Sequence, residues 1–270
     1  MSRLSKMHEE FWRRGFIIQR GAFPTADIDL LRRAVTENVA MQHQQQVILG
    51  KVDEGKYPSF ETIFVWNDTF GDDIYAKFTR SPKTLGVIAE LFHDDAYVYH
   101  NKVALKYPGI PGFRFHQDYF YWYQMGCLYP DLATSFIAID EATRENGCLR
   151  FIEGSHKLGR LEHHLYDGVS DSGVDEERLV AIRERMPEVA VEMEPGDVAI
   201  FHCNLLHGSD ANLSDKPRLA LLGCTNTKHN DPIIRNHAHP NYRPQSLIRE
   251  RVTEADLARL PDFRLEFTDE

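Results

Sequence analysis

Residues 113–118 read Phe113-Arg114-Phe115-His116-Gln117-Asp118, and the fold and the chemistry are both read outward from them. Aromatic and polar residues alternate over Phe113–His116, and a strand is expected over Phe113–Gln117. In a strand, side chains two apart share a face, so His116 and Asp118 are expected to present an imidazole and a carboxylate side by side. A second histidine, His207, lies in Leu205-Leu206-His207-Gly208-Ser209. Two histidines and a carboxylate occupy one face of an octahedral iron(II) and leave three positions open. The spacing alone is a weak signal, because the chain also contains His93-Asp94-Asp95. That second copy follows an expected helix at Lys83–Phe92, where a cap or turn is the better reading. Among 13 histidines, His202 competes with His207 for the ligand role.

Arg218 opens the apolar run Arg218-Leu219-Ala220-Leu221-Leu222. A cation at the start of such a strand needs an anionic partner, because burying it unpaired is costly. The partner is either a neighbouring Asp or Glu, or the carboxylate of a ligand gripped by both arms of the guanidinium.

Around these residues the chain divides into helices first and strands afterwards. Helices are expected at Lys6–Arg14, from Thr25 as N-cap to about Gln46, and at Lys83–Phe92, with a short strand at Phe16–Arg20. Strands are expected at Ala96–Lys106, Phe113–Gln117, Thr134–Asp140, Leu149–Phe151, Val189–Met193, Val198–His202 and Arg218–Thr225, with a helix at Asp175–Arg185 between them. Glu194-Pro195-Gly196-Asp197 is a tight turn, proline presetting φ and glycine supplying φ > 0. Helices followed by many short strands predict a closed or sandwiched β-structure backed by helices.

The chain of 270 residues carries 31 Lys and Arg against 41 Asp and Glu, a formal charge of −10. That leaves no basic footprint for nucleic acid or an anionic membrane. Sixteen Phe, 11 Tyr and 3 Trp exclude a chain too polar to collapse. Four scattered cysteines without a Cys-x-x-Cys pair argue against a zinc ribbon or a thioredoxin-type site. No apolar run suggests a secretory signal or a membrane span, so a cytoplasmic protein with reduced thiols is expected. Dinucleotide, P-loop and α/β-hydrolase motifs are missing. Monomer and homodimer both stay open.

Taken in order, His116-Gln117-Asp118, Glu145-Asn146-Gly147-Cys148-Leu149, Gly154-Ser155-His156-Lys157, Pro195-Gly196-Asp197 and His207-Gly208-Ser209…Arg218 resemble the phytanoyl-CoA dioxygenase family, whose members are Fe(II)- and 2-oxoglutarate-dependent oxygenases. The segment Phe201–Ser209 looks like that of the ectoine hydroxylases within the family. The resemblance implies a mainly β fold with helices, a double-stranded β-helix (a cupin-like jelly roll) with N-terminal helices packed on one sheet. One domain would span 1–270: a mainly helical cover at 1–95, the jelly-roll core at 96–228 and a C-terminal extension at 229–270. It further implies that His116, Asp118 and His207 bind iron, and that Arg218 and Ser209 hold the distal carboxylate of 2-oxoglutarate with help from the Thr134 hydroxyl. Thr134 is equally a residue chosen for β-propensity. Where the ectoine enzymes carry an asparagine before the metal motif, Leu105 stands here, so the other end of 2-oxoglutarate needs a different contact.

The expected reaction is hydroxylation of an aliphatic C–H bond with O2, 2-oxoglutarate giving succinate and CO2. The carboxylate Asp118 argues for hydroxylation over halogenation, with desaturation and epimerisation open. The alternatives are a cupin-like metalloenzyme that does not use 2-oxoglutarate and a non-catalytic binding protein. A small polar metabolite is favoured as substrate, with Trp122, Asn101 and Arg243 as candidate contacts. Trp122 and the surrounding Tyr119–Tyr123 run either stack on substrate or pack the core. Gly126–Pro130 and Gly159–Gly173 read as lid loops. The His- and Arg-rich stretch Thr227–Ser246 either folds over the mouth or lies in solvent.

Overall fold

The computed structural model describes residues 3–55, 64–67, 69–166, 172–234 and 239–260. Chain order is α1 (Arg3–Arg14), β1 (Phe16–Gln19), α2 (Thr25–Thr36), α3 (Val39–Asp53), β2 (Phe64–Asn67), α4 (Ile74–Thr79), α5 (Leu85–Phe92), β3 (Ala96–Lys106), β4 (Phe113–His116), α6 (Tyr119–Gln124), β5 (Leu132–Ala138), β6 (Leu149–Ile152), a 3-10 turn (Ser155–Leu158), β7 (His163–Leu165), β8 (Ser172–Val174), α7 (Glu176–Arg183), β9 (Glu188–Val191), β10 (Val198–His202), β11 (His207–Ser209), β12 (Arg218–Thr227), a second 3-10 turn (Lys228–Asn230) and α8 (Glu254–Leu257).

The long strands lie where β-branched and aromatic residues predict them, and the helix expected from Thr25 to Gln46 is two. Pro24, not Thr25, is the N-cap of α2. The chain then breaks at Glu37-Asn38, where Asn38 Oδ1 accepts a hydrogen bond from Met41 N at 3.2 Å and so caps α3. The elements with no forecast (β2, β7, β8, β11, α4, α6 and α8) are short, and few residues give little periodicity to read.

Two antiparallel sheets form the jelly roll. One is six-stranded in the order β1-β10-β5-β12-β3-β2, and the other four-stranded in the order β4-β11-β6-β9. Between them lies a core of Phe16, Ala104, Phe136, Ala138, Phe151, Ala199, Phe201, Ala220 and Leu222. Truncating the fully buried Phe151 there is expected to cost about 3–5 kcal/mol. The opposite face of the large sheet presents Val103, Leu105, Ala133, Ile137, Ile200, Leu219 and Leu221 to Ile28, Leu31, Phe78 and Ile88 of the helices. Residue parity along β3, β5 and β12 therefore decides whether a side chain enters the sandwich or the helical cover. A third cluster of Tyr97, Tyr99, Tyr119, Trp122, Leu132, Cys203 and Cys224 closes one end.

Several of the short motifs turn out to be scaffold. Ser155 Oγ accepts from Leu206 N at 2.8 Å, and His156 Nε2 lies 3.2 Å from Trp12 O. A Cβ at Gly15 (φ +88°) would come within 2.5 Å of the His156 ring, so this contact demands glycine. Asp197 ties the turn before β10 to the turn after β1, accepting from Gly21 N at 2.7 Å and Arg20 Nη1 at 2.6 Å. No helix among the described residues is long and apolar enough to cross a membrane.

Candidate active site

His207 and His116 are cross-strand partners on β11 and β4, with ring centroids 4.3 Å apart. Asp118 Oδ1 lies 3.7 Å from Nε2 of each. One ligand atom from each residue falls within 4.8 Å of the others, among the described residues the arrangement able to hold a metal ion. Strand alternation is not what delivers Asp118. The strand ends at His116, and Asp118 is already helical (φ −57°, ψ −33°) as the N-cap of α6.

The turn between them is held by Gln117, whose importance the sequence reading missed. Its buried amide donates to Gly159 O (2.8 Å) and Asn204 O (2.7 Å) and accepts from Leu161 N (2.7 Å), while its backbone N–H donates to His163 Nε2 at 2.9 Å. An uncharged residue between two ligands, with donor and acceptor both available, was the signal.

The ligand tautomers are set by the backbone. His116 Nδ1 lies 2.8 Å from Arg114 O and His207 Nδ1 2.9 Å from Leu205 O. A carbonyl can only accept, so each Nδ1 carries the proton and each Nε2 keeps its lone pair for the centre. Burial, reinforced by the neighbouring His207, holds His116 neutral with a pKa near 3. Thr134 Oγ donates to the second carboxylate oxygen, Asp118 Oδ2, at 3.0 Å.

His202 is no competitor. It packs with Phe11, Trp12, Phe92 and His156 under α1, where burial lowers its pKa to about 3. The His93-Asp94-Asp95 copy is also structural: His93 is the left-handed cap of α5, and Asp94 and Asp95 pair with His229 and Lys228.

Arg218 points into the sandwich, 3% exposed, with its guanidinium 5.5 Å from the Phe136 ring centroid. Its Nε and Nη1 are buried with no hydrogen-bond partner, and no carboxylate among the described residues pairs with it. Burial lowers its pKa to about 10. An orphaned buried guanidinium fits the carboxylate of a small dianion. Ser209 lies two residues past His207 on β11, on the same face. That is about 6.6 Å of strand, comparable with the length of a five-carbon diacid. Thr134 belongs elsewhere: its hydroxyl serves Asp118, and the ring that Arg218 covers is the next inward residue of β5, Phe136. The expected contact of Thr134 with the distal carboxylate is corrected accordingly.

The interior positions of β3 are His100, Lys102, Ala104 and Lys106; the alternate ones, Asn101, Val103 and Leu105, face the helices. Asn101 is thus not placed on the substrate side. It pairs in register with Gly223, at which a Cβ would touch Thr79 of α4. Leu105 faces away for the same reason. Trp122 is 3% exposed and packs against His100 (5.8 Å) and Tyr99 (6.3 Å), and His239 stacks on His100 at 4.8 Å. Arg243 is exposed over the Phe70 ring, with no contact to the triad. Arg235, His237 and the 167–171 part of the expected lid lie outside the described residues.

The phytanoyl-CoA dioxygenase (PhyH) family model matches residues 11–220. The chain is 32% identical over 136 residues to the 2-aminoethylphosphonate dioxygenase of uncultured bacterium HF130_AEPn_1, covering 50% of this chain and 48% of that protein. To the L-proline trans-4-hydroxylase of Streptomyces griseoviridis it is 28% identical over 243 residues, covering 84% and 85%. To the ectoine dioxygenase of Sphingopyxis alaskensis it is 31% identical over 157 residues, covering 54% and 51%. The matched stretch thus spans about half the length of the first and third of these relatives. The crystal structure of EctD from S. alaskensis with 2-oxoglutarate and 5-hydroxyectoine superposes with a TM-score of 0.70 at 21% identity, over 93% of this chain and 88% of that one. With the jelly roll in place and the family model covering most of its length, the chain belongs to the phytanoyl-CoA dioxygenase (PhyH) family.

Proposed function

We propose that the protein is an Fe(II)- and 2-oxoglutarate-dependent dioxygenase that hydroxylates an aliphatic C–H bond of a small polar metabolite. The observation that carries this reading is the coexistence of a His, carboxylate, His donor set with an orphaned buried guanidinium in one sandwich. Bound at His116, Asp118 and His207, Fe(II) supplies the reaction of O2 with 2-oxoglutarate that yields succinate, CO2 and a hydroxylated product.

The chain's own residues bind, orient and shield. The two imidazoles and one carboxylate sit on one side of the centre and leave the other for ligands. Thr134 steers the free oxygen of Asp118, and Arg218 with Ser209 receives the distal carboxylate of the cosubstrate. Phe201 and Phe151 pack beside His207, at 4.8 and 6.4 Å between centroids, and keep bulk water off that flank. At the end closed by the aromatic cluster, Trp122, His100, His239 and Tyr99 offer flat surfaces and polar edges, with Lys102 as an interior cation. Relatives named for 2-aminoethylphosphonate, L-proline and ectoine support a compact charged substrate. Four buried free cysteines suit a reducing cytoplasm, which also keeps iron ferrous.

The test is a screen of small amino acids, betaines and phosphonates that reads succinate above the substrate-free background, with Asp118→Ala in parallel. The wild type is expected to release succinate with at least one of them and Asp118→Ala with none. An active Asp118→Ala variant overturns the assignment.

A further inference from the structure

The Arg218 end of the sandwich holds a second buried cation. Lys106 is the register partner of Arg218 across the β3–β12 ladder and is fully buried. No carboxylate among the described residues pairs with either. The Lys106 ammonium is surrounded by neutral acceptors: Gly147 O at 3.3 Å, Ser209 Oγ at 3.0 Å and Asp210 O. The Asp210 carboxylate is turned away onto Arg150 at 2.7 Å. Gly147 (φ +72°) makes room for this, since a Cβ there would lie 2.7 Å from Lys106 Nζ.

We propose that Lys106 is a positioning residue of the cosubstrate pocket. It fixes the Ser209 hydroxyl as a donor toward the distal carboxylate, and it takes up its own proton when that carboxylate binds. The proposal rests on the reading of Arg218 and Ser209 given above.

The hydrogen-bond inventory supports the first part. Ser209 Oγ receives Lys106 Nζ at 3.0 Å and Phe113 N at 3.3 Å. A hydroxyl has two lone pairs and one proton. With both lone pairs engaged by N–H donors, the proton is left to point at a third partner, and an anion on Arg218 is the partner the site provides.

Charge supports the second part. Two adjacent cations in a dry site repel, and among the described residues no carboxylate is paired with either. The groups facing Lys106 are Arg218 on β12, the Cys148 thiol before β6, Asp210 after β11 and the Phe113 ring of β4. Burial first, and Arg218 second, lowers the Lys106 pKa to about 6. At neutral pH and above, the free site therefore holds an amine with a lone pair, which accepts the Ser209 proton; a bound dianion restores the ammonium, and the serine proton turns to the ligand. The proton comes from solvent, and no bond other than N–H and O–H changes.

The test is calorimetric titration of Fe(II)-loaded, oxygen-free wild type and Lys106→Met with 2-oxoglutarate and with 2-oxopentanoate. The latter has the same keto acid end and no distal carboxylate. Lys106→Met is expected to bind 2-oxoglutarate about tenfold more weakly and 2-oxopentanoate within twofold of wild type. Fe(II) affinity without keto acid serves as the folding control, with Lys106→Gln as a second variant. At pH 7.5, in buffers of differing ionisation enthalpy, wild type is expected to take up close to one proton with 2-oxoglutarate and none with 2-oxopentanoate. Equal 2-oxoglutarate affinity in both proteins, equal weakening of both ligands, or no proton uptake overturns the proposal. A wild type that does not distinguish the two keto acids overturns instead the underlying reading of Arg218.

Discussion

Thr134 Oγ donates a 3.0 Å hydrogen bond to Asp118 Oδ2, leaving Oδ1 as the oxygen equidistant, at 3.7 Å, from the two histidine Nε2 atoms. The threonine thereby decides which carboxylate oxygen faces the centre. Partners of metal ligands typically contribute 10–100-fold in metal affinity. Thr134→Val keeps the shape and removes the donor, so Fe(II) affinity measured anaerobically is expected to fall by at least about tenfold with the thermal midpoint nearly unchanged. Unchanged affinity would show that the fold alone orients Asp118.

Gln117 joins the end of β4 to the 159–161 and 204 segments through three side-chain hydrogen bonds, all buried. Gln117→Leu fills the volume and strands two carbonyls and an N–H, at about 1–3 kcal/mol for each group left unpaired. Chemical denaturation is expected to show a loss of about 3 kcal/mol, together with weaker Fe(II) binding. A stability within error of wild type would mean that water replaces the amide.

The ring of His229 bridges Asp94 and Asp131, at 2.7 Å from each. The Asp94 hydrogen bond leads the effects that raise the His229 pKa above its ordinary 6.5. Hydrogen bonds from the His229 backbone and ring lower that of Asp94, outweighing its desolvation. The histidine contribution is present below pH 6.5 and lost as pH rises through its folded-state value. The Asp94 contribution is present above 3.8 and lost as pH falls through its own. The bridge is therefore strongest between these limits, and its half-exposed ring keeps the effect modest. The melting-temperature gap between wild type and His229→Ala is expected to be wider at pH 5.5 than at pH 8.5. A gap independent of pH contradicts the charged bridge.

Asn101 is fully buried against the helical cover, with neither amide atom hydrogen-bonded. Asn101→Val removes a stranded polar group from an apolar layer, and a gain of about 1 kcal/mol is expected. Fe(II) and 2-oxoglutarate affinities should not move. A weakened cosubstrate affinity would return Asn101 to the site.

The candidate site was legible as an ordered set, His116-Gln117-Asp118, His207-Gly208-Ser209 and Arg218, which resembles the family's motifs, while residue type alone left His202 and His93-Asp94-Asp95 as competitors; the helix-then-strand order frames a jelly roll. What the sequence does not show is parity. All eleven residues of β3 are buried, so apolar character appears on both faces and no alternation marks the interior. A one-residue displacement then exchanges the faces, so the candidate substrate contact Asn101 falls on the helical side while its neighbours His100 and Lys102 face the interior. The usable signal was His100, Lys102 and Lys106 at even spacing in an apolar strand. Asp118 was matched to the right partners through the wrong geometry, because the bend after His116 depends on Gln117 and segments some 40 and 90 residues away.

The central claim is that one sandwich binds ferrous iron on the triad and a dicarboxylic keto acid between that iron and Arg218. Its most direct measurement is an anaerobic titration of the Fe(II)-loaded protein with 2-oxoglutarate, following the weak visible charge-transfer band of a chelated keto acid. The band is expected to rise and saturate in wild type. In Arg218→Met it is expected to require at least about a hundredfold more 2-oxoglutarate, the loss of a buried charge-assisted pair, and in Asp118→Ala to be absent. No band in wild type at saturating 2-oxoglutarate, or the same midpoint in Arg218→Met, would contradict the account.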